Sequence, residues 1–297
     1  MIKAEGLHKS YGDHVALHHL DLEVKAGSIF GLLGPNGAGK TSFIRIINQI
    51  TAPDSGQLFF NGEKLSASHI KKIGYLPEER GLYPKMKVGE QLLYLAQLKE
   101  VEKSQAKERI LKWLKDFQLM DWKDKNVEEL SKGMAQKVQF IATLLHQPEL
   151  LILDEPFTGF DPRNTEIIKK EIQRLGERGT TIIFSTHRME SVEEICDSIV
   201  LINKGKKVLE GSLRDIKQQF RSGNYDLILE ESQISTWPAG IEILSQASLQ
   251  GKLHLKLKLE PENKQSLLQF LSTKNLHLFQ EEEAKLHDIF IQTTAEE

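Results

Sequence analysis

Apolar runs and helical patterns alternate along the first two thirds of the chain. The runs at 29–33 and 150–153 contain no polar side chain, which is typical of strands buried on both faces of a parallel sheet. A third run, at 180–185, predicts another buried strand. Apolar residues spaced three and four apart predict helices over 42–48, 88–120, 130–145 and 161–175. This succession of strands and helices predicts an α/β fold.

The start of the chain predicts strands of a different kind. Residues 20–24 alternate between apolar and polar side chains, as a half-buried strand does. Turn signals at 53–56 and 61–62 enclose a further short strand. We therefore expect an antiparallel β subdomain beside the α/β core, and a helical insertion at about 80–145 between two parts of that core.

The pattern changes after residue 221. Residues 252–259 alternate perfectly, which predicts a strand of an antiparallel sheet with one buried face. The sequence predicts partner strands at 226–230 and 241–244, and a short amphipathic helix at 264–271. We predict two domains, 1–221 and 222–297, of which the second is a small α+β domain whose role the sequence does not reveal.

Composition excludes several classes of protein. The chain has 297 residues, 39% of them hydrophobic, which suits a soluble globular protein with a core. No apolar run approaches the ~18 residues needed to cross a bilayer. The net charge is −3, and residues 222–297 hold twelve acidic residues against six lysines, so we expect no nucleic-acid partner. The single cysteine, Cys196, cannot form an internal disulfide, which fits a reducing compartment.

A glycine-rich loop between the first buried strand and the following helix predicts a phosphate site. Glycines let the backbone turn its N–H groups inward, and the helix adds the positive end of its dipole. Lys40 supplies a full charge for the outer phosphates, and the Thr41 hydroxyl suits a Mg²⁺ ligand. This P-loop consists of Gly34, Pro35, Asn36, Gly37, Ala38, Gly39, Lys40 and Thr41.

Two adjacent carboxylates, Asp154 and Glu155, follow the second buried strand. Ligands of open α/β sheets bind at this end of the strands, so a structural role alone explains the pair poorly. Asp154 can hold Mg²⁺ through oxygen, and Glu155 can orient and deprotonate a water molecule.

Other candidates have an ordinary structural explanation beside a functional one. Tyr11 is a surface aromatic beside a turn or a face for stacking a purine. Ser131 and Asp161 are good helix N-caps, and Ser131 also marks a helix N-terminus that could receive a phosphate. His187 stands just past a buried strand, where a lone histidine is more often structural than catalytic.

The order of these motifs resembles the ATP-binding subunit of ABC transporters over roughly the first 220 residues. The likeness implies a P-loop NTPase core that binds ATP and Mg²⁺. It also implies a head-to-tail dimer, which we expect to be a homodimer. This dimer would energise a polytopic membrane permease on a separate chain, at the cytoplasmic face of the membrane. It implies that Tyr11 stacks the adenine, Glu155 is the general base, and His187 contacts the γ-phosphate. The signature segment, Ser131, Lys132, Gly133 and Met134, would cap the nucleotide of the other chain, and Asp161 would couple the two sites.

The sequence departs from the pattern of this family in three places. Lys132 and Met134 replace the glycine and glutamine that are usual in the signature. Glu78 stands where a glutamine is usual, so its expected role as a Mg²⁺ ligand brings an additional negative charge. Phe160 replaces a leucine. With the appended small domain, these variants resemble the branch that contains sodium-extrusion and antibiotic-export ATPases.

We therefore expect an ATPase that drives transport, by analogy export. The alternative is an ABC ATPase that acts as a nucleotide-driven switch on a soluble complex. A single set of motifs and an acidic C-terminal region count against the switch. A third alternative, nucleotide binding without hydrolysis, is disfavoured by Glu155 and His187.

Overall fold

The computed structural model describes residues 1–79, 81–230 and 237–295, and these form two compact units, the first of residues 1–213 with 293–295 and the second of Arg214–Gln292. The second unit begins within a helix that the sequence pattern assigned to the first domain. Within the second unit, Lys217 Nζ of that helix lies 3.7 Å from Glu283.

An antiparallel sheet forms from the N-terminal strands of the first unit. Its order is β2-β1-β4-β5. The register between β1 and β2 shifts three times, which interrupts the alternation of buried and exposed positions. The strands are β1 (Ile2–Tyr11), β2 (His14–Val24), β4 (Ser55–Phe60) and β5 (Glu63–Lys64).

A second, mainly parallel sheet carries the predicted buried strands. Its order is β10-β9-β3-β8-β7-β6, and β10 alone runs antiparallel to its neighbour among the described pairs. Since β3, β8 and β7 are parallel neighbours, their carboxyl ends meet at one edge. The strands are β3 (Ile29–Leu33), β6 (Ile73–Leu76), β7 (Leu150–Asp154), β8 (Thr181–Ser185), β9 (Ser198–Asn203) and β10 (Lys206–Ser212).

Helices complete the first unit, and one hydrophobic core joins its two sheets through residues such as Leu17, Phe43 and Ile183. Helices α2, α3 and α4 contact one another and form the helical insertion. The helices are α1 (Lys40–Ile47), α2 (Val88–Leu98), α3 (Lys103–Asp116), α4 (Lys132–Leu144), α5 (Pro162–Glu177), α6 (Met189–Ile195) and α7 (Leu213–Gln219), the last of which leads into the second unit.

The second unit contains an antiparallel sheet in the order β12-β13-β11-β14, and its described residues also form helices. The leucines of β13 form its buried face, as the alternation predicted. Within the described residues, no helix is long and apolar enough to span a membrane. The elements are β11 (Asn224–Glu230), β12 (Ile241–Leu249), β13 (Lys252–Leu259), α8 (Lys264–Leu271), β14 (Leu276–Glu281) and α9 (Leu286–Ala295).

Candidate functional site

One cleft of the first unit collects most of the residues that the sequence singled out. It lies at the carboxyl ends of β3 and β7, where parallel α/β sheets bind their ligands. The glycine-rich loop forms its floor, and the first antiparallel sheet contributes one wall. The cleft is lined by Tyr11, His14, Ala16, Asn36, Gly37, Ala38, Gly39, Lys40, Thr41, Ser42, Glu78, Asp154, Glu155 and His187.

At two positions of the loop, glycine is required both by the backbone φ angle and by the lack of room for a Cβ atom. Gly34 has φ 150° and Gly39 has φ 111°, values that L side chains rarely adopt. A Cβ atom at Gly34 would lie 2.2 Å from the carbonyl oxygen of Ile202, and one at Gly39 would lie 2.2 Å from that of Ala16. Gly37 also has a positive φ, of 79°, but a Cβ there meets nothing within 4 Å. Gly34 and Gly39 therefore fix the fold of the loop, whereas Gly37 borders open space.

Lys40 closes the loop upon itself. Its Nζ donates hydrogen bonds to the carbonyl oxygens of Gly34, at 2.7 Å, and Pro35, at 3.0 Å. Burial lowers the pKa of this ammonium, while the nearby carboxylates of Glu155, Asp154 and Glu78 oppose that shift. The cation therefore faces a cleft whose other charged groups include three carboxylates.

Asp154 and Glu155 reach the same cleft although they are consecutive. In a continued strand their side chains would point to opposite faces. Asp154 is the last residue of β7, and Glu155 adopts a left-handed backbone with φ 48°. The N–H of Glu155 then donates to the carbonyl oxygen of Ser185 at 2.8 Å, which joins the two strand ends. Both carboxylates are buried, and this turn places them side by side.

The carboxylate of Glu155 is held at both oxygens. The Thr186 hydroxyl lies 3.1 Å from Oε2. The backbone N–H of His187 donates to Oε1 at 2.9 Å, and Nδ1 of His187 lies 2.6 Å from the same oxygen. The imidazole itself remains 60% exposed toward the cleft. Glu155 and His187 are therefore joined by direct contacts at the end of β7.

Burial raises the pKa of Asp154, and the carboxylates of Glu155 and Glu78 raise it further, against the opposing charge of Lys40. Glu78 is exposed, and the backbone beside it is positioned by Gln139, whose Nε2 donates to the carbonyl oxygen of Glu79 at 3.2 Å. This concentration of negative charge suits a site that binds a cation together with an anionic ligand.

The signature residues 131–134 lie outside the cleft of their own chain. None of residues 131–134 is among the described residues that line the cleft. Ser131 is the exposed N-cap of α4, and its Oγ accepts from the N–H of Met134 at 3.3 Å. Lys132 lies against Gly159, where a Cβ would stand 2.7 Å from its Cε. Asp161 caps α5 by accepting from the N–H of Asn164 at 2.9 Å, also outside the cleft.

Four residues near the cleft were missed by sequence reasoning. Ser42 simply follows the loop, and Thr186 lies between the strand end and His187, so position along the chain could have indicated both. His14 and Ala16 lie on β2, and no local signal pointed to them. They reach the cleft because Gly205 connects the P-loop to β2. The N–H of Gly205 donates to the carbonyl oxygen of Ala38 in the loop, and the carbonyl oxygen of Gly205 accepts from the N–H of His18 on β2.

The loop, the strand order and the paired carboxylates define a P-loop nucleoside triphosphatase. Comparison with known proteins gives a narrower assignment. Residues 17–158 match the family described as ABC transporter, and residues 211–294 match the C-terminal domain of ATP-binding proteins similar to DrrA1-3.

The uncharacterized ABC transporter ATP-binding protein YhaQ of Bacillus subtilis is 42% identical over 98% of both chains. The daunorubicin resistance ATP-binding protein DrrA3 of Streptomyces coeruleorubidus is 32% identical over 78% of this chain and 74% of the relative. A solved ATP-binding subunit of an ABC transporter superposes with a TM-score of 0.70 at 30% identity, covering 74% of this chain and 93% of the other. The chain belongs to the ATP-binding proteins of ABC transporters, which confirms the resemblance and the fold class seen in the sequence.

Proposed function

We propose that the cleft described above is the ATPase centre through which this ABC transporter subunit hydrolyses ATP. The single observation that carries the proposal is the position of Glu155, held at both carboxylate oxygens across the cleft from the P-loop. In this proposal the loop N–H groups and Lys40 bind the outer phosphates, and Tyr11, 43% exposed at the rim, stacks the adenine.

The donor set suits Mg²⁺. Thr41 and Asp154 offer a hydroxyl and a carboxylate in the same cleft, with Glu78 as a third oxygen donor. Mg²⁺ binds such sites through one or two carboxylates plus phosphate oxygens and water, so these few protein ligands are sufficient. When bound, the ion neutralises charge that develops on the phosphates.

Glu155 would accept a proton from the attacking water, because it is the carboxylate whose orientation the surrounding residues fix. The Thr186 hydroxyl and the N–H of His187 keep its oxygens in place. The exposed edge of the His187 ring would then contact the γ-phosphate and the water. Proton transfer to a positioned base of this kind contributes about 10²- to 10⁴-fold in rate.

We further propose that two chains close head to tail over two nucleotides. The N-terminus of α4 is exposed and lies outside its own cleft, so Ser131 and Gly133 are available to a second chain. The dimeric structure of the bacterial ABC transporter cassette MJ0796 superposes with a TM-score of 0.66 at 25% identity and covers 72% of this chain and 99% of that one. In such a dimer Asp161 would lie between the sites and couple them.

The proposed partner is a polytopic permease, and the proposed direction is export. A relative whose name states export supports this direction: the Nod factor export ATP-binding protein I of Cupriavidus metallidurans, 36% identical over 73% of this chain and 72% of the relative. The linearmycin resistance ATP-binding protein LnrL of Bacillus subtilis, 36% identical over 73% of this chain and 70% of the relative, and DrrA3 are named for resistance to antibiotics, which export of the compound would provide. A permease would place this chain at the cytoplasmic face of the membrane. The domain division near 221 remains a prediction.

The candidate docking surface is the segment 81–84 beside the helical insertion. Tyr83 is 54% exposed, and its ring meets that of Tyr94 on α2 edge-on with centroids 6.3 Å apart. An exposed aromatic pair of this kind is typical of interaction sites. Leu82 lies beside it, half-buried.

Purification of the tagged chain from its own cells in mild detergent tests this assignment. We expect a stoichiometric polytopic membrane protein, and expect Leu82→Asp with Tyr83→Asp to abolish its retention and uncouple transport while ATPase activity persists. Leu111→Asp, at an exposed leucine of α3, is the control and should retain the partner. Recovery of ribosomes or only soluble proteins would instead support a nucleotide-driven switch, and intact transport in the double variant would contradict the docking surface.

A further inference from the structure

A second concave site of the first unit lies away from the ATPase cleft. Its walls come from α3 of the helical insertion, from the C-terminal part of α5, and from residues that precede β7 and β8, such as Pro148 and Thr180. It therefore stands at the amino ends of the parallel strands, the edge opposite the P-loop, and at the joint between insertion and core.

Four cationic side chains converge on this joint pocket, and no carboxylate is among the described residues that line it. Arg109 and Lys112 come from α3, Arg174 comes from α5, and Arg178 is the residue that caps the C-terminus of α5. A concave surface lined by charges of one sign focuses its field and raises the local concentration of counter-ions. This pocket therefore attracts anions, although the chain as a whole has a net charge of −3.

Two of the four cations are anchored by the protein. Arg109 Nη1 donates to the carbonyl oxygen of Leu145 at 2.7 Å. The guanidinium of Arg174 binds Glu171 with Nε 2.9 Å from Oε2, and its charge lies over the ring of Trp113, 5.8 Å from the centroid. These contacts hold two guanidinium groups and an aromatic wall in fixed positions.

The other two cations, Lys112 and Arg178, have no partner of opposite charge among the residues that the structure describes. Within the described parts of the chain, neither Lys112 nor Arg178 forms an ion pair or a side-chain hydrogen bond. Neither side chain is committed to structure, so both can turn toward a ligand. Guanidinium groups bind phosphate through paired N–H donors, and an ammonium adds a compact point charge.

We infer that the joint pocket binds a small phosphorylated molecule that carries two or more negative charges. The anion bridges Lys112 on α3 to Arg178 at the end of α5, so its binding ties the helical insertion to the core from the side opposite the nucleotide. The site is separate from the ATPase centre, because none of its lining residues is among those that line the P-loop cleft.

Titration of the full-length chain with inorganic pyrophosphate tests this inference. Calorimetry is performed with saturating ADP, which occupies the P-loop cleft. We expect one additional binding event per chain, accompanied by a change in tryptophan fluorescence that Trp113→Phe abolishes. Loss of two charge-assisted contacts in Lys112→Gln with Arg178→Gln should weaken binding at least about tenfold.

The matched control is Lys115→Gln with Lys170→Gln, which removes the same charge from exposed positions of the same two helices outside the pocket. Unaltered ATPase activity in both double variants shows that they fold. The inference is overturned if pyrophosphate does not bind in the presence of ADP, if the pocket variant binds it as well as the wild type, or if both double variants lose binding equally.

Discussion

Nδ1 of His187 lies 2.6 Å from Oε1 of Glu155, and the backbone N–H of His187 donates to the same oxygen at 2.9 Å. Together with the Thr186 hydroxyl on Oε2, these contacts fix the direction of the carboxylate without any nucleotide. A base oriented in this way needs no rearrangement when a water molecule arrives, which favours its role in the reaction.

Substitution of Glu155 by Gln tests that role. The amide keeps the size of the side chain and can still accept from His187, but it is not a base. We expect ATP binding to be retained and turnover to fall at least ~10²-fold. Phosphate release and equilibrium binding of ATP measure the two effects separately. Glu177→Gln, at an exposed carboxylate, should leave both unchanged, and near wild-type turnover in Glu155→Gln would remove this residue from the mechanism.

Mixing two inactive variants tests the contribution of Ser131 to the site of the other chain. Ser131→Arg blocks the signature, and Lys40→Ala disables the P-loop, so neither homodimer should hydrolyse ATP. In a mixed dimer one site combines an intact P-loop with an intact signature, and equal mixing should restore about a quarter of wild-type activity.

The control for this experiment places both substitutions in one chain and mixes it with wild type. Every site of that mixed dimer then contains one damaged component, so the mixed dimers contribute no activity. Failure of the two single variants to complement each other, with dimers present, would contradict a head-to-tail arrangement.

Two P-loop glycines, Gly37 and Gly39, should differ in how much they contribute to the stability of the protein. Gly39→Ala should lower stability strongly, because its Cβ would lie 2.2 Å from the carbonyl oxygen of Ala16 at φ 111°. Gly37→Ala adds a methyl group to open space at φ 79°, so we expect a loss of only about 1 kcal/mol from backbone strain. Urea denaturation of both variants makes the comparison. Equal destabilisation would show that close packing at Gly39 is unimportant.

His146 makes the first unit sensitive to acid. Burial lowers its pKa to about 4, and the cations Lys99 and Arg109 contribute to the shift. The unfolded chain takes up a proton near pH 6.5 while the folded form resists it, so stability is full above that pH and falls as the pH decreases toward 4. We expect a loss of about 2 kcal/mol between pH 8 and 5.

This loss is measured on the unfolding transition that ADP stabilises, which reports on the nucleotide-binding unit. His146→Gln should flatten the dependence on pH. His18→Gln, at an exposed histidine, should leave it unaltered. An unchanged slope in His146→Gln would show that other groups control the sensitivity to acid.

Local patterns predicted much of this protein. The buried strands β3, β7 and β8 and the P-loop depend on continuous apolar runs and on glycine positions, which are visible in the sequence. The pairing of β1 with β2 was not predicted in detail, because its register shifts break the alternation, and His14 and Ala16 were missed with it. Strand β14 also escaped prediction, because as an edge strand it leaves most of its side chains exposed. The left-handed backbone conformation of Glu155 could not be predicted, because glutamate as a residue type gives no indication of a positive φ.

The two hydrogen bonds of Lys40 to its own loop have a consequence for how ATP enters. The ammonium already lies within the loop and is desolvated there. The free-energy cost of burying and positioning this charge is therefore incurred when the protein folds, not when ATP binds. An arriving triphosphate exchanges one set of oxygen partners for another and orders little additional backbone. Preorganisation of this kind lowers the entropic cost of association, and we expect capture of the nucleotide to proceed without a slow closing step in the loop.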